Sequence, residues 1–328
     1  MHRAFQSTWE LDAVPAPDYR LPEFWCTTRG IVSQRACYPL VSLETTRGCA
    51  FDCSFCGNAT LNTLKREHHL PILRFKSVEN ILVQSRCLRN DVPELRLLHY
   101  SDENFLHRSV SELKEFAGSY NHAVGVPLSV MIDVRSADFH EKILQLARIE
   151  ALRVVTLGLQ TGADEFNKRV YNRPQSSRDT IAKCMFMRET LGRSVQITVG
   201  VMYGHPEETC EDILQTLNAM LRVKGVRFNL NQFVPLPATP QGKRYLRGDS
   251  VTYLSQLDAR AFAQSPFYLF ALFLIKHLRT LHAGWLLPST FQSWLTELLN
   301  SRVLAPFYQW CIRLSIWIGY YRFAQAVR

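Results

Sequence analysis

Three cysteines stand close together in the run Glu44-Thr45-Thr46-Arg47-Gly48-Cys49-Ala50-Phe51-Asp52-Cys53-Ser54-Phe55-Cys56-Gly57-Asn58. Their spacing is C-x3-C-x2-C. Thiolates at this density hold soft metals or iron–sulfur clusters. Structural zinc takes four ligands, usually in two close pairs. Here a fourth would come from His68 or His69, which have no paired partner. Three thiolates suit a [4Fe-4S] cluster with one iron left open to an exogenous ligand, and that is a functional arrangement. A zinc site and three unliganded buried thiols are the competing readings.

The remaining six cysteines, Cys26, Cys37, Cys87, Cys184, Cys210 and Cys311, are scattered. An odd total of nine argues against a disulfide framework. Cys26 and Cys37 could ligate a second cluster, but they lack companions and read more simply as ordinary thiols. Met1 to Pro15 holds no apolar run of a signal peptide. A reducing cytoplasm is the expected compartment, where clustered cysteines are metal-binding or catalytic.

Elements must position this cluster, and composition bounds them. The 328 residues are 47% hydrophobic and 20% charged, which excludes global disorder and a coiled coil. A chain of this length buries a large core without disulfides. Its longest apolar run, residues 267–275, is far short of the ~18 residues of a membrane span.

Three segments are expected. Residues 1–38 form an extended, proline-dotted lead-in, residues 39–240 the catalytic core, and residues 241–328 a helical C-terminal region. In the core, strands are predicted at 40–45, 94–100, 128–134, 153–159, 195–201 and 226–234. Helices are predicted at 76–89, 109–120, 138–149, 176–191 and 207–223. Ser109 and Glu112 have capping-box spacing, and Ser176 with Asp179 is an aspartate version of it. Strand and helix alternating over about 200 residues imply an α/β fold with parallel pairing. Six strands are too few for a closed eight-stranded barrel. An open partial (β/α)6 barrel and a doubly wound sheet both fit, and both place chemistry at the carboxyl ends of the strands.

With the cysteine loop following the first of these strands, the sequence resembles the radical S-adenosylmethionine (SAM) superfamily. Cys49, Cys53 and Cys56 match its three cluster ligands, and Phe55 matches the aromatic residue near the SAM adenine. The partial barrel is the fold this resemblance implies. Tyr100-Ser101-Asp102-Glu103-Asn104-Phe105 occupies the place of the family's Gly-Gly-Glu segment, which holds the SAM amino group. Asp102, Glu103 and Asn104 are therefore all candidates for that contact. Arg135, after the third strand, could fork onto the SAM carboxylate. Leu157-Gly158-Leu159-Gln160-Thr161-Gly162 resembles the Gly-x-Gln-Ser-Gly element, whose polar residue, Gln160 here, faces SAM. Arg173 resembles an arginine that reaches the SAM carboxylate in some relatives. Gly200 and Val201 match the backbone beside the adenine, and the turn after them, through His205-Pro206-Glu207-Glu208-Thr209, resembles the family's Gly-Leu-Pro-Gly-Glu-Thr.

The resemblance implies reductive cleavage of SAM to methionine and a 5′-deoxyadenosyl radical that abstracts a substrate hydrogen. It also implies an electron donor such as a flavodoxin or ferredoxin. Leu11-Asp12-Ala13-Val14-Pro15-Ala16-Pro17-Asp18-Tyr19 is similar to the linker of the cobalamin-dependent subgroup, as are Glu44–Gly48 and Asp102–Phe105. Only ten residues precede that linker, so no cobalamin domain is expected in this chain. Asp138-Phe139-His140 partly copies a cobalamin-ligating motif but lacks its glycine, and is expected to be a helix start capped by Asp138.

Residues 241–328 hold ten Lys/Arg and three Asp/Glu, so +7 of the net +9 lies there. Apolar residues at 304, 307, 311, 314, 318 and 321 make a helical stripe. A helical cap over the barrel is the simpler reading, and peripheral contact with anionic lipid the other. No nucleic-acid partner is expected. The expected function is radical chemistry on a small-molecule or lipid-like metabolite in a biosynthetic pathway: rearrangement, C–C bond formation or oxidation. Methyl transfer using cobalamin supplied in trans is the alternative, and a non-catalytic iron–sulfur or zinc protein is the competitor of another class.

Overall fold

The computed structural model describes residues 10–18, 23–27, 30–34 and 40–246. A hairpin of β1 (Glu23–Thr27) and β2 (Gly30–Gln34) precedes the core. There follow β3 (Leu40–Leu43), β4 (Thr46–Arg47), α1 (Gly57–Glu67), β5 (Arg74–Phe75), α2 (Val78–Asp91) and β6 (Leu97–Tyr100). Next come α3 (Val110–Ala123), β7 (Leu128–Ile132), α4 (Phe139–Leu146), β8 (Leu152–Gln160), α5 (Asp164–Arg169) and α6 (Ser177–Leu191). The described chain ends with β9 (Gln196–Tyr203), α7 (Cys210–Arg222), β10 (Arg227–Gln232) and α8 (Pro240–Tyr245).

Six strands form one parallel sheet in the order β10-β9-β8-β7-β6-β3. That order decides between the two architectures. A doubly wound sheet reverses its order at a switch point and carries helices on both faces. Here each strand adds beside the one before it, so right-handed crossovers put the helices on one side. The result is the wall of a partial (β/α)6 barrel. Val41, Leu43, Leu98, Tyr100, Val130, Val155, Leu157, Ile197 and Val199 face the helices. They pack there on Ile81, Leu113, Phe116, Ile143, Met187, Ile213 and Leu217. The alternate residues point to the concave side, as the period of two requires.

All six core strands and five helices stand where the sequence predicts them, with shifted ends. The first strand stops at Leu43 rather than residue 45, because the Thr45 and Thr46 N–H groups turn to Asp102. The Ser109–Glu112 capping box forms, and Ser176 accepts from the Asp179 N–H. The helix predicted at 207 starts at Cys210 instead. Thr209 and Asp212 make its capping box, while Glu207 and Glu208 bond elsewhere. Asp138 does precede α4, but with left-handed backbone (φ 53°) and no side-chain capping bond, which corrects the expected cap.

Three helices escape the periodicity argument: α1, α5 and α8. In α1, Asn58 and Asn62 are buried while Leu61 and Leu64 are exposed, so its inward face is polar. The lead-in is held on α2: Ser77 N–H and Asn80 donate to Asp12, and Gln84 donates to the Val14 carbonyl. The predicted helical stripe at 304–321 lies outside the described residues, as do Cys37 and Cys311.

Candidate functional site

The cysteine loop begins where β3 ends. Asp102, buried after β6, accepts the N–H groups of Thr45 (2.7 Å) and Thr46 (2.8 Å) and the Thr45 hydroxyl. Arg108 approaches the same turn from the other side, donating to the carbonyls of Thr45 (2.9 Å) and Lys76 (3.0 Å). Gly48 then takes φ +97°, and a Cβ there would lie 2.1 Å from the Ile72 carbonyl oxygen. Only glycine fits a left-handed turn at that approach.

The far side of the loop is equally fixed. Cys56 occupies the N-cap position of α1, with Asn58 Nδ2 3.6 Å from its sulfur. Asn62 donates to the Cys49 carbonyl (2.9 Å) and to Asp52 (2.7 Å). Ser54 bonds the Val170 and Tyr171 carbonyls, and Asn172 bonds the Asp52 carbonyl. Gln241 of α8 donates to both Ser54 Oγ (3.0 Å) and the Val170 carbonyl (2.7 Å). These buried polar side chains account for the polar inner face of α1 and for the position of α8.

Cys53 is buried and faces two arginines. Arg135 Nη2 lies 3.2 Å from its sulfur and Arg173 Nη1 3.3 Å. Both guanidinium groups also grip Asp133, Arg135 through two nitrogens at 2.9 Å and Arg173 at 3.1 Å. Burial pushes the Asp133 carboxyl up, but the Arg135 hydrogen bonds and both positive charges outweigh it and hold it down at about 2. The Arg135 guanidinium stacks 3.8 Å above the Phe51 ring centroid. His107 accepts the Ala50 N–H at Nε2 (3.3 Å), and burial pushes it down to about 4, so its ring is neutral at pH 7. Burial also pushes the Cys49 thiol up to about 12 and raises that of Cys56, toward which the Glu103 charge contributes.

The structure separates the three candidates after β6. Asp102 spends both carboxylate oxygens on the Thr45–Thr46 turn. Asn104 is fully buried, accepts from Leu106 and Asp133 N–H groups, and donates to Ser136. Glu103 is exposed on the side of Cys56. Phe55 packs edge-on against Tyr171 with centroids 5.1 Å apart. Gln160 ends β8 at φ +66°, in a bulge where Gly158 pairs with Gly200 and Gln160 with Val201. Its amide folds over Gly158, where a Cβ would meet Nε2 at 2.3 Å. A Cβ on Gly200 would meet only the Leu157 carbonyl, at 3.6 Å, so nothing within the chain demands glycine there. The Val201 side chain faces the helices and is fully buried, which leaves only its backbone to the site. Arg173 is 3% exposed and also donates to the Gly158 carbonyl (3.1 Å), tying β8 to the cysteine loop.

Sequence reasoning missed Asp133, His107, Ser54 and Gln241. Asp133 had a signal, two residues before an arginine at the end of a strand. Gln241 had none, because its contacts are made across 187 and 71 residues of chain.

Among the described residues, no group of three His, Cys, Asp or Glu is arranged to hold a single metal ion. A [4Fe-4S] cluster can be held by three thiolates on different irons, which three cysteines on one loop supply, whereas structural zinc takes four ligands. The bare backbone at Gly200 likewise suits close approach of a flat ligand.

Fold and site thus define a partial barrel with a three-thiol loop at the carboxyl end of its first strand. Residues 43–220 match the family model described as the radical SAM superfamily. The chain belongs to that superfamily and is an enzyme of it, which implies SAM and a [4Fe-4S] cluster as cofactors. A search of curated protein sequences finds no match. Among solved structures, the radical SAM methyltransferase TsrM from Kitasatospora setae, with cobalamin and a [4Fe-4S] cluster bound, is similar at 18% identity and a TM-score of 0.50. The superposition covers 63% of this chain and 39% of TsrM. Methylornithine synthase (PylB) aligns at 14% identity over 73% of this chain and 62% of its own, with a TM-score of 0.47. A radical SAM methyltransferase from Sphaerobacter thermophilus aligns at 16% identity over 66% and 64%, with a TM-score of 0.43.

Proposed function

We propose that Cys49, Cys53 and Cys56 hold the [4Fe-4S] cluster of a radical SAM enzyme that abstracts hydrogen from a small metabolite. The observation that carries this reading is the placement of all three thiols on one pinned loop, beside two arginines and a free carboxylate. When bound, the cluster supplies one electron to SAM and so yields methionine and a 5′-deoxyadenosyl radical. The chain's own residues bind and orient. With Nε and Nη2 of Arg135 held on Asp133, its Nη1 is left for the SAM carboxylate, and the buried Arg173 adds its positive charge beside it. Glu103 takes the amino group as a charge-assisted partner, whereas Asp102 and Asn104 shape the loops that carry it. Phe55, Gln160, Gly200 and the Val201 backbone line the adenine side. The buried aromatic layer of Tyr171, Phe166 and Phe233 behind Phe55 excludes water from that side.

The proposed setting is the cytoplasm, with a flavodoxin or ferredoxin as electron donor. Support comes from Cys49, Cys53, Cys56, Cys87 and Cys184, which are free thiols. No helix among the described residues is long and apolar enough to cross a membrane. Anaerobic reconstitution with iron and sulfide, then addition of SAM and dithionite, tests the reading through 5′-deoxyadenosine formation.

A second reading, methyl transfer with cobalamin supplied in trans, is favoured by the likeness of the core to TsrM. Addition of cobalamin with methyl-labelled SAM separates the two. Label transferred to an acceptor supports methyl transfer, and label retained in methionine supports hydrogen abstraction alone.

A further inference from the structure

His205 lies in the turn between β9 and α7 and is 1% exposed. Four aromatic rings enclose it, with centroids 5.4 Å (Phe166), 5.6 Å (Tyr171), 4.4 Å (Phe233) and 5.3 Å (Tyr245) away. An apolar side chain would fill such a seat with no polar group to satisfy. The imidazole occupies it with both ring nitrogens bonded. Nδ1 receives the Glu207 N–H (3.1 Å), and Nε2 lies 3.2 Å from Gln241 Oε1. A backbone N–H can only donate, so Nδ1 is the acceptor. Burial lowers the His205 pKa and keeps the ring neutral. Its one proton is therefore on Nε2, which donates to Gln241.

Gln241 passes the same direction on. Its Nε2 donates to the Val170 carbonyl (2.7 Å) and to Ser54 Oγ (3.0 Å). A backbone carbonyl can only accept, so the amide nitrogen must face Val170 and the amide oxygen His205. Ser54 in turn donates from Oγ to the Val170 carbonyl (2.6 Å) and from its N–H to the Tyr171 carbonyl (3.0 Å). The bonds thus run one way, from the end of β9 to the segment between Cys53 and Cys56. An inverted amide would set two buried acceptors against each other.

The seat of α8 has other supports. Thr60 Oγ1 donates to the Ala238 carbonyl (2.6 Å), Thr239 accepts the Gly242 N–H (2.9 Å), and the Gln241 N–H meets the Ser54 carbonyl (3.2 Å). What His205 adds is the direction of one amide.

We propose that His205 is a positioning residue for the cysteine loop: through the Gln241 amide it holds Ser54, and with it the Cys53–Cys56 segment, in a fixed place relative to the end of β9. The inference rests on the radical SAM reading for what that loop carries. On that reading the relay joins the adenine side of the site, at Gly200 and the Val201 backbone, to the cluster side.

Three variants test it. His205→Phe keeps a ring without nitrogens, Gln241→Met removes the amide, and His205→Gln keeps a donor in the place of Nε2. Hydrogen exchange over residues 49–57 is measured on the full chain before and after anaerobic reconstitution. SAM affinity and the EPR spectrum of the reduced cluster are the second readouts. Exchange should be about fivefold faster in His205→Phe and in Gln241→Met, the effect of one lost hydrogen bond. The double variant should be no faster, because both changes cut one chain of bonds. SAM affinity should fall by about the same factor, and the change that SAM makes in the EPR spectrum should shrink. His205→Gln should restore all three readouts. Wild-type exchange in His205→Phe and Gln241→Met, or a His205→Gln protein as fast as His205→Phe, would overturn the inference. So would a loosened loop with wild-type SAM affinity and EPR spectrum, which would make the relay a contact of the fold alone. A wild-type chain that takes up no cluster, while the variants loosen the loop as expected, would count against the radical SAM reading and leave the relay standing.

Discussion

The guanidinium of Arg173 lies 3.3 Å from the sulfur of Cys53, a residue 120 positions earlier in the chain. Arg135 reaches the same sulfur at 3.2 Å, and Asp133 holds both arginines in place. A buried carboxylate between two guanidinium groups is costly to break, because removal of one charge strands the others. Asp133→Asn should therefore destabilise the protein by about 3–5 kcal/mol and weaken SAM binding at least tenfold. Denaturant titration and equilibrium dialysis with SAM read the two effects. Unchanged SAM binding in a folded variant would remove Asp133 from any positioning role.

The same residue sets an acid limit. Its folded pKa of about 2 lies below the ordinary aspartate value of 3.8, so its contribution is complete above about pH 4 and is lost as pH falls through 2. Glu208 has the opposite sign. Burial pushes its carboxyl up from 4.5 to about 7, so the folded state favours the protonated form. Its contribution is complete below pH 4.5 and is lost as pH rises to 7. Unfolding free energy measured from pH 4.5 to 8 should therefore decline from this group, and Glu208→Gln should flatten that decline.

Asp102 and Glu103 are adjacent in sequence, the first buried and the second exposed. Asp102→Ala leaves the buried Thr45 and Thr46 N–H groups without their acceptor, which costs about 1–3 kcal/mol for each donor. Glu103→Ala removes an exposed side chain and should leave stability within about 0.5 kcal/mol, while it weakens SAM binding. Thermal unfolding and SAM dialysis on both variants check the split. A destabilised Glu103→Ala, or an unaffected Asp102→Ala, would reverse the assignment.

Gly48→Ala places a methyl 2.1 Å from the Ile72 carbonyl at a φ of +97°. Both the clash and the backbone strain oppose it, so a loss of at least about 2 kcal/mol is expected. Because β4 and β5 pair beside this point, the cysteine loop should loosen as well. Limited proteolysis around residues 44–75 should become faster in the variant.

Much of this was legible in the sequence for physical reasons. Core strands such as β8 and β9 alternate clearly between helix-facing and concave-facing residues, and α3 and α6 begin with serine caps. Arg135 was a candidate because it follows the end of a strand, and Arg173 because it resembles an arginine of some relatives. The rest was hidden by long-range polar contacts. The inward face of α1 is made of Asn58 and Asn62, so hydrophobic periodicity has nothing to detect there. Asp102 and Glu103 cannot be told apart without seeing that Asp102 bonds a turn 56 and 57 residues away. The choice of partial barrel over doubly wound sheet likewise depends on strand order, which local sequence does not encode.

The most direct test compares wild type with Cys53→Ala after anaerobic reconstitution with iron, sulfide, SAM and dithionite, and quantifies 5′-deoxyadenosine by chromatography. Cys53 is the thiol that both arginines face, so its loss should abolish the product while wild type makes it. A Cys53→Ala protein that still cleaves SAM, or a wild-type protein with an intact cluster that does not, would contradict the account.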